Sequence, residues 1–103
     1  MPVSVEAGES RNVNICTNKD YVLDLIGVYV SHGRKMAKLA FDEYSKTNEC
    51  WRDPIRKVSD ADMKTFVPVK PFGDLYLGYV IRREGGKDLY IIHYKFLRPA
   101  ISI

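Results

Sequence analysis

The sequence predicts one small α+β domain spanning residues 1–103: a C-terminal antiparallel β-hairpin, extended by an N-terminal strand, packed against a bent helical segment. Three observations carry this. Two apolar runs, Leu75 to Ile81 and Leu89 to Phe96, flank a Gly85-Gly86 pair. Apolar residues recur at three-and-four spacing between Asn18 and Asn48. A chain of this length buries roughly 60 to 70% of the surface its unfolded form exposes, enough for a single core.

The hairpin follows from its turn. Both central positions of a tight two-residue hairpin turn need positive φ, which glycine supplies without steric cost. With Gly85 and Gly86 at the tip, Glu84 faces Lys87 and Arg83 faces Asp88, two charge pairs worth about 0.2 to 1 kcal/mol each. Leu75, Leu77, Tyr79 and Ile81 then share a face with Tyr90, Ile92, Tyr94 and Phe96, and that apolar face must be covered. On the other, mixed face the pairs are Tyr76 with Lys95, Gly78 with His93, Val80 with Ile91, and Arg82 with Leu89. A one-residue slip would scatter the apolar set over both faces, so burial specifies the register as well.

Before the hairpin, Val3-Ser4-Val5 and Arg11 to Cys16 alternate as short strands, and the second is expected to add a third strand to the sheet. From Asn18 to Asn48 the stripe Val22, Leu25, Ile26, Tyr29, Val30, Gly33, Met36, Ala37, Ala40 and Tyr44 reads as one buried helical face. Asn18 is a good N-cap and Asp20 suits the first turn. The β-formers Val22, Ile26, Val28 and Val30, with Gly27 and Gly33, leave a strand from Tyr21 to Val30 as the alternative. A straight helix from Lys19 to Thr47 would run about 45 Å at ~1.5 Å per residue, whereas a domain of this size is ~33 Å across. A break at Ser31-His32-Gly33 is therefore expected.

Cys50 to Gly73 holds three prolines and little periodicity. One short helix is expected where Ser59 and Asp62 form a cap, running through Phe66. Trp51, Ile55, Phe66 and Phe72 suggest that this segment is pinned as a cover over the apolar face of the hairpin. The terminal Ala100-Ile101-Ser102-Ile103 is expected to dock.

Composition narrows function without choosing it. Net charge is +3, which permits contact with nucleic acid or an acidic surface and demands neither. The N-terminus carries no basic segment followed by an apolar core, and no apolar run approaches a membrane span, so the expected location is cytoplasmic, or nuclear in a eukaryote, and not secreted. Cys16 and Cys50 stand far apart and are expected as buried thiols. No nucleophile elbow, phosphate loop or zincin motif occurs, and the scattered Cys16, His32, Cys50 and His93 lack metal-ligand spacing, so neither metal nor cofactor is expected.

The reading that results is a non-enzymatic binding module acting through protein–protein contacts, in the manner of a small regulator or inhibitor, with a homodimer as one form of assembly. Tyr76, Arg82, His93 and Lys95 on the mixed sheet face are its candidate partner-binding residues, since tyrosine and arginine are enriched in interface hot spots. An exposed sheet edge would give a second route to pairing. The alternative is a nucleic-acid-binding domain in which Arg34, Lys35 and Lys38 merge with Arg52, Arg56 and Lys57 into one phosphate-binding patch. A third reading places a small-ligand pocket or an active site around His93, beside the gap left by Gly78.

Overall fold

The computed structural model describes residues 13–96. It is an α+β fold, as expected, but the sheet is larger than a hairpin with one added strand. Five antiparallel strands, β1 (Val13–Cys16), β2 (Cys50–Asp53), β3 (Val67–Phe72), β4 (Leu75–Glu84) and β5 (Lys87–Phe96), lie in the order β2-β1-β5-β4-β3. Helices α1 (Lys19–His32) and α2 (Arg34–Ser45) cover one face, and a short α3 (Asp60–Met63) sits in the segment leading to β3. The expected strand at Val3–Val5 and the docking of the C-terminal tail fall outside the described residues.

The β4–β5 register follows the turn chemistry pair for pair, from Glu84 with Lys87 through Val80 with Ile91 to Leu75 with Phe96. Gly85 and Gly86 have φ of 58° and 81°. One charge pair is realised as drawn, Arg83 Nη1 to Asp88 Oδ1 at 2.9 Å. Glu84 instead turns away from Lys87 to Arg56. The third strand is β1, joined to β5 by Ile15 with Ile91 and Cys16 with Tyr90.

Tyr21 to Val30 is helical, so the strand alternative is overturned. Helix α1 is capped by Asn18, whose Oδ1 accepts from the Asp20 N–H at 2.9 Å, and it buries Val22, Leu25 and Ile26 at the spacing of one face. Burial of that stripe outweighs the local β preference of its valines. The break falls at Gly33. With φ of 97°, a value open chiefly to glycine, its N–H donates to the Tyr29 carbonyl and its own carbonyl accepts from the Ala37 N–H. One residue thus ends α1 and begins α2. The helices fold back on each other, with the Tyr21 and Tyr44 rings stacked at 4.0 Å and the Tyr44 hydroxyl donating to Asp24. That carboxylate, favouring the protonated phenol, pushes the Tyr44 pKa up to about 12.

The cysteines are not thiols. Cys16 and Cys50 face each other across β1 and β2 and form a disulfide, Cα to Cα 4.1 Å, in the core under α1. Their pairing removes the cysteine argument for a reducing compartment.

The sheet has a core on each face. Under the helices lie Val22, Leu25, Ile26, Phe41, Leu77 and Tyr79 with the disulfide. On the opposite face Val13, Ile15, Val80, Leu89 and Ile91 pack with Trp51, Val58, Met63 and Phe66. The Trp51 segment therefore covers the mixed face of the hairpin, not the helical one expected for it. The reason lies in β1 and β2: by adding four alternating residues each, they make the mixed face apolar at its centre. The Ser59 cap is present as a full capping box, with the Asp62 N–H donating to Ser59 Oγ and the Ser59 N–H to Asp62 Oδ2.

Strand β3 carries Pro68 and Pro71 on the sheet edge, with a register shift between Pro68 and Lys70. Proline has no N–H to offer a further strand, so this edge is blunted against the edge pairing considered above. The close approach of β3 to β4 rests on Gly78, where an added Cβ would stand 2.0 Å from the Val67 carbonyl oxygen and 3.0 Å from Phe66 Cζ. Gly78→Ala is expected to cost about 1–3 kcal/mol through overpacking; an unchanged denaturation midpoint in chemical unfolding would contradict this packing. Reduction of the disulfide, which closes a loop of sequence separation 34, should lower unfolding stability by about 3–4 kcal/mol on loop-entropy grounds. Denaturant curves with and without a dithiol test it.

Candidate functional site

The mixed face of the hairpin is divided. At its centre, under the 54–66 segment, Arg82 is held in a chain of ion pairs. Its Nε donates to Asp62 Oδ1 at 3.2 Å, a second nitrogen bonds Asp62 Oδ2, and Nη2 also donates to the Lys57 carbonyl at 2.8 Å. Arg82 and Arg56 share Glu84, at 3.6 and 2.6 Å, and Arg56 reaches on to Asp53 at 3.0 Å. Five charged side chains from β2, the loop, α3 and β4 thus clamp the segment to the sheet. Asp62 is only 8% exposed, and the Arg82 guanidinium holds its carboxyl at about 2. His93 is half-buried opposite Gly78, and its desolvation lowers its pKa, partly offset by the charge of Asp62.

The other two candidate residues lie at the open end of the sheet. Here the last pairs of β3, β4 and β5 form two rows. Phe72, Leu75 and Phe96 form one, on the helical face; Pro71, Tyr76 and Lys95 form the next, on the other. Phe72, Tyr76 and Phe96 are 40, 38 and 57% exposed. Tyr29 of α1 meets the Phe72 ring at 5.2 Å and ties this end to the helices. The structure therefore keeps Tyr76 and Lys95 together as an accessible pair and takes Arg82 and His93 into the interior of the mixed face. Phe96 was missed because it sits on the hairpin face expected to be fully covered, and Phe72 because it was read as part of the segment doing the covering.

The six basic residues of the alternative reading also divide. Arg34 and Lys38 of α2 meet Arg52 of β2 around a cleft between the helices and the sheet, with Leu25, Ile26, Phe41, Leu77 and Ile92 below. Arg52 lies over the Phe41 ring at 4.8 Å, a cation–π contact, and Lys38 pairs with Asp42 at 3.1 Å. Lys35 is exposed on α2 outside the cleft lining, while Arg56 and Lys57 belong to the loop on the far side of the sheet. Asn14, the cross-strand neighbour of Arg52, also lines the cleft. Its Oδ1 is buried with no hydrogen-bond partner, a cost of about 1–3 kcal/mol when left unmet.

Among the described residues no helix is long and apolar enough to cross a membrane, and no group of three or more His, Cys, Asp or Glu side chains converges as a metal site. Comparison with protein-family models, with curated proteins and with solved structures gives no match to this chain.

The Asp62–Arg82 pair sets an acid limit. Because the folded carboxyl titrates at about 2 against an ordinary 3.8, its stabilisation is complete above pH 4 and is lost as pH falls from there through 2, at about 2 kcal/mol in all. Asp62→Asn should flatten that part of the stability–pH curve; a variant with the wild-type acid slope would show that other groups carry it.

Proposed function

We propose that this chain is a non-enzymatic binding module acting through protein contacts, and that the open end of its sheet is the contact surface. The single observation behind the reading is the pair of rows crossing three strands, in which Phe72, Tyr76 and Phe96 stay exposed while the centres of β4 and β5 are buried. Large aromatic side chains beside a cation, held on paired strands, lose little side-chain freedom on contact, which is why such residues dominate interface energies. Tyr76 and Lys95 carry over from the sequence reading, with Phe72 and Phe96 added. Arg82 and His93 act behind them, as the clamp and the packing that hold the strands in place.

A second copy of the chain is one partner that this surface would accept. The nucleic-acid alternative draws on the meeting of Arg34, Lys38 and Arg52, but three cations around an apolar concavity suit one compact anion better than a run of phosphates.

Sedimentation equilibrium across the micromolar range, together with affinity capture on the wild-type chain, tests the reading. Tyr76→Ala and Phe96→Asp should each weaken self-association, or the retention of an identified partner, by about tenfold or more, the size of a hot-spot loss, with an unchanged far-ultraviolet circular dichroism spectrum. A partner or dimer retained equally by both variants overturns the placement.

A further inference from the structure

A second site lies beside α1, where Tyr29, the residue that meets Phe72 at the sheet end, also lines a cleft. The cleft between the helical hairpin and the sheet is a half-open concavity of about 660 Å3, within the range of small-molecule sites, roughly 300–1,000 Å3. Its chemistry is two-part. The floor is apolar, made by Leu25 and Ile26 of α1, Phe41 of α2, and Leu77 and Ile92 of the sheet. The rim is cationic, and its charges come from elements distant in sequence: Arg34 and Lys38 from one helix, Arg52 from β2.

One further feature adds to the positive side. Helix α2 begins at Gly33 with no side-chain cap and no acidic residue in its first turn, so its unmet N–H groups lie beside Arg34, where the helix dipole already favours an anion. Basic residues at that end oppose the dipole and disfavour the helix. The uncapped, base-flanked helix end suits an anionic ligand head. Asn14 also lines the cleft; its unpartnered Oδ1 is an acceptor and takes no bond from an anionic oxygen.

We propose that this cleft binds a small amphipathic oxyanion: a carboxylate or phosphate head held by Arg34, Arg52 and Lys38, with an aliphatic or aromatic body on the Leu25–Leu77 floor. Guanidinium groups suit such heads because their parallel N–H donors match two oxygens at once. The disulfide steadies the site. Cys16 and Cys50 are two positions along the same ladder from Asn14 and Arg52, and the loop they close contains both helices of the opposite wall.

Isothermal titration of the full chain with four probes below their micelle concentrations tests this: decanoate, decyl phosphate, inorganic phosphate and decyltrimethylammonium. Saturable one-to-one binding of decanoate, decyl phosphate or both is expected, with affinity about tenfold or more above that for the other two probes, the scale of one charge-assisted contact. Which of the first pair binds more tightly identifies the head group. Arg34→Gln and Arg52→Gln should each weaken binding about tenfold, and Ala37→Phe should block it while every cation remains. Lys38→Gln, at a side chain 59% exposed, gives the same reading if an arginine variant fails to fold. Absence of binding by both anionic amphiphiles overturns the proposal. So does inorganic phosphate binding as tightly, which would mark a bare charge patch, or the cationic amphiphile binding as tightly, which would mark an unselective apolar surface.

Discussion

The β4–β5 register is the constraint on which the rest of the molecule depends. Ten consecutive cross-strand pairs follow from one Gly-Gly turn, and they decide which side chains look toward α1 and which toward the 54–66 segment. Both cores are assembled on that division. Val80 and Ile91 are fully buried on one face, Leu77 and Tyr79 buried on the other. A slip of one residue would exchange the two sets and bring Arg82 under the helices, where no carboxylate of α1 is buried to meet it.

Local chemistry made much of this legible. The glycine turn, the Asn18 cap, the Ser59–Asp62 box and the break at Gly33 each rest on interactions within a few residues, and each is visible in order along the chain. Strands β2 and β3 were not. Cys50–Asp53 has four residues, too few to show a period, and Val67–Phe72 hides its alternation behind two prolines and a shift in register. Their pairing is a property of neighbours that arrive from elsewhere in the sequence. For the same reason the apolar side chains of the Trp51 segment announce that it is pinned but not on which face.

The surfaces follow the same rule. Tyr76 and Lys95 were readable as neighbours because the hairpin alone makes them so. Arg82 looked like an available cation, since its carboxylate partner Asp62 stands twenty residues away on α3. Conversely, Arg34, Lys38 and Arg52 do meet, because α2 folds back toward β2, whereas Arg56 and Lys57, grouped with them in the chain, lie on the other side of the sheet. The pairing of Cys16 with Cys50 belongs to that same closure, and nothing in their spacing reveals it. Charge and aromatic content thus indicate binding, while the partition into two surfaces is a tertiary fact.

The position of β1 has a kinetic side. It lies between β2 and β5, so an interior strand that is made early is completed on one edge by Cys50–Asp53 and on the other by Ile91 and Tyr90, which are made late. Loop-closure entropy must be met before such distant pairs stabilise anything. The hairpin and the two helices can form from local contacts, whereas the strand that joins them into one sheet has the longest loops to close. Until it docks, the apolar edge of β5 stays open to other chains, and the interval before β1 arrives is the period in which this molecule is most exposed to misassembly.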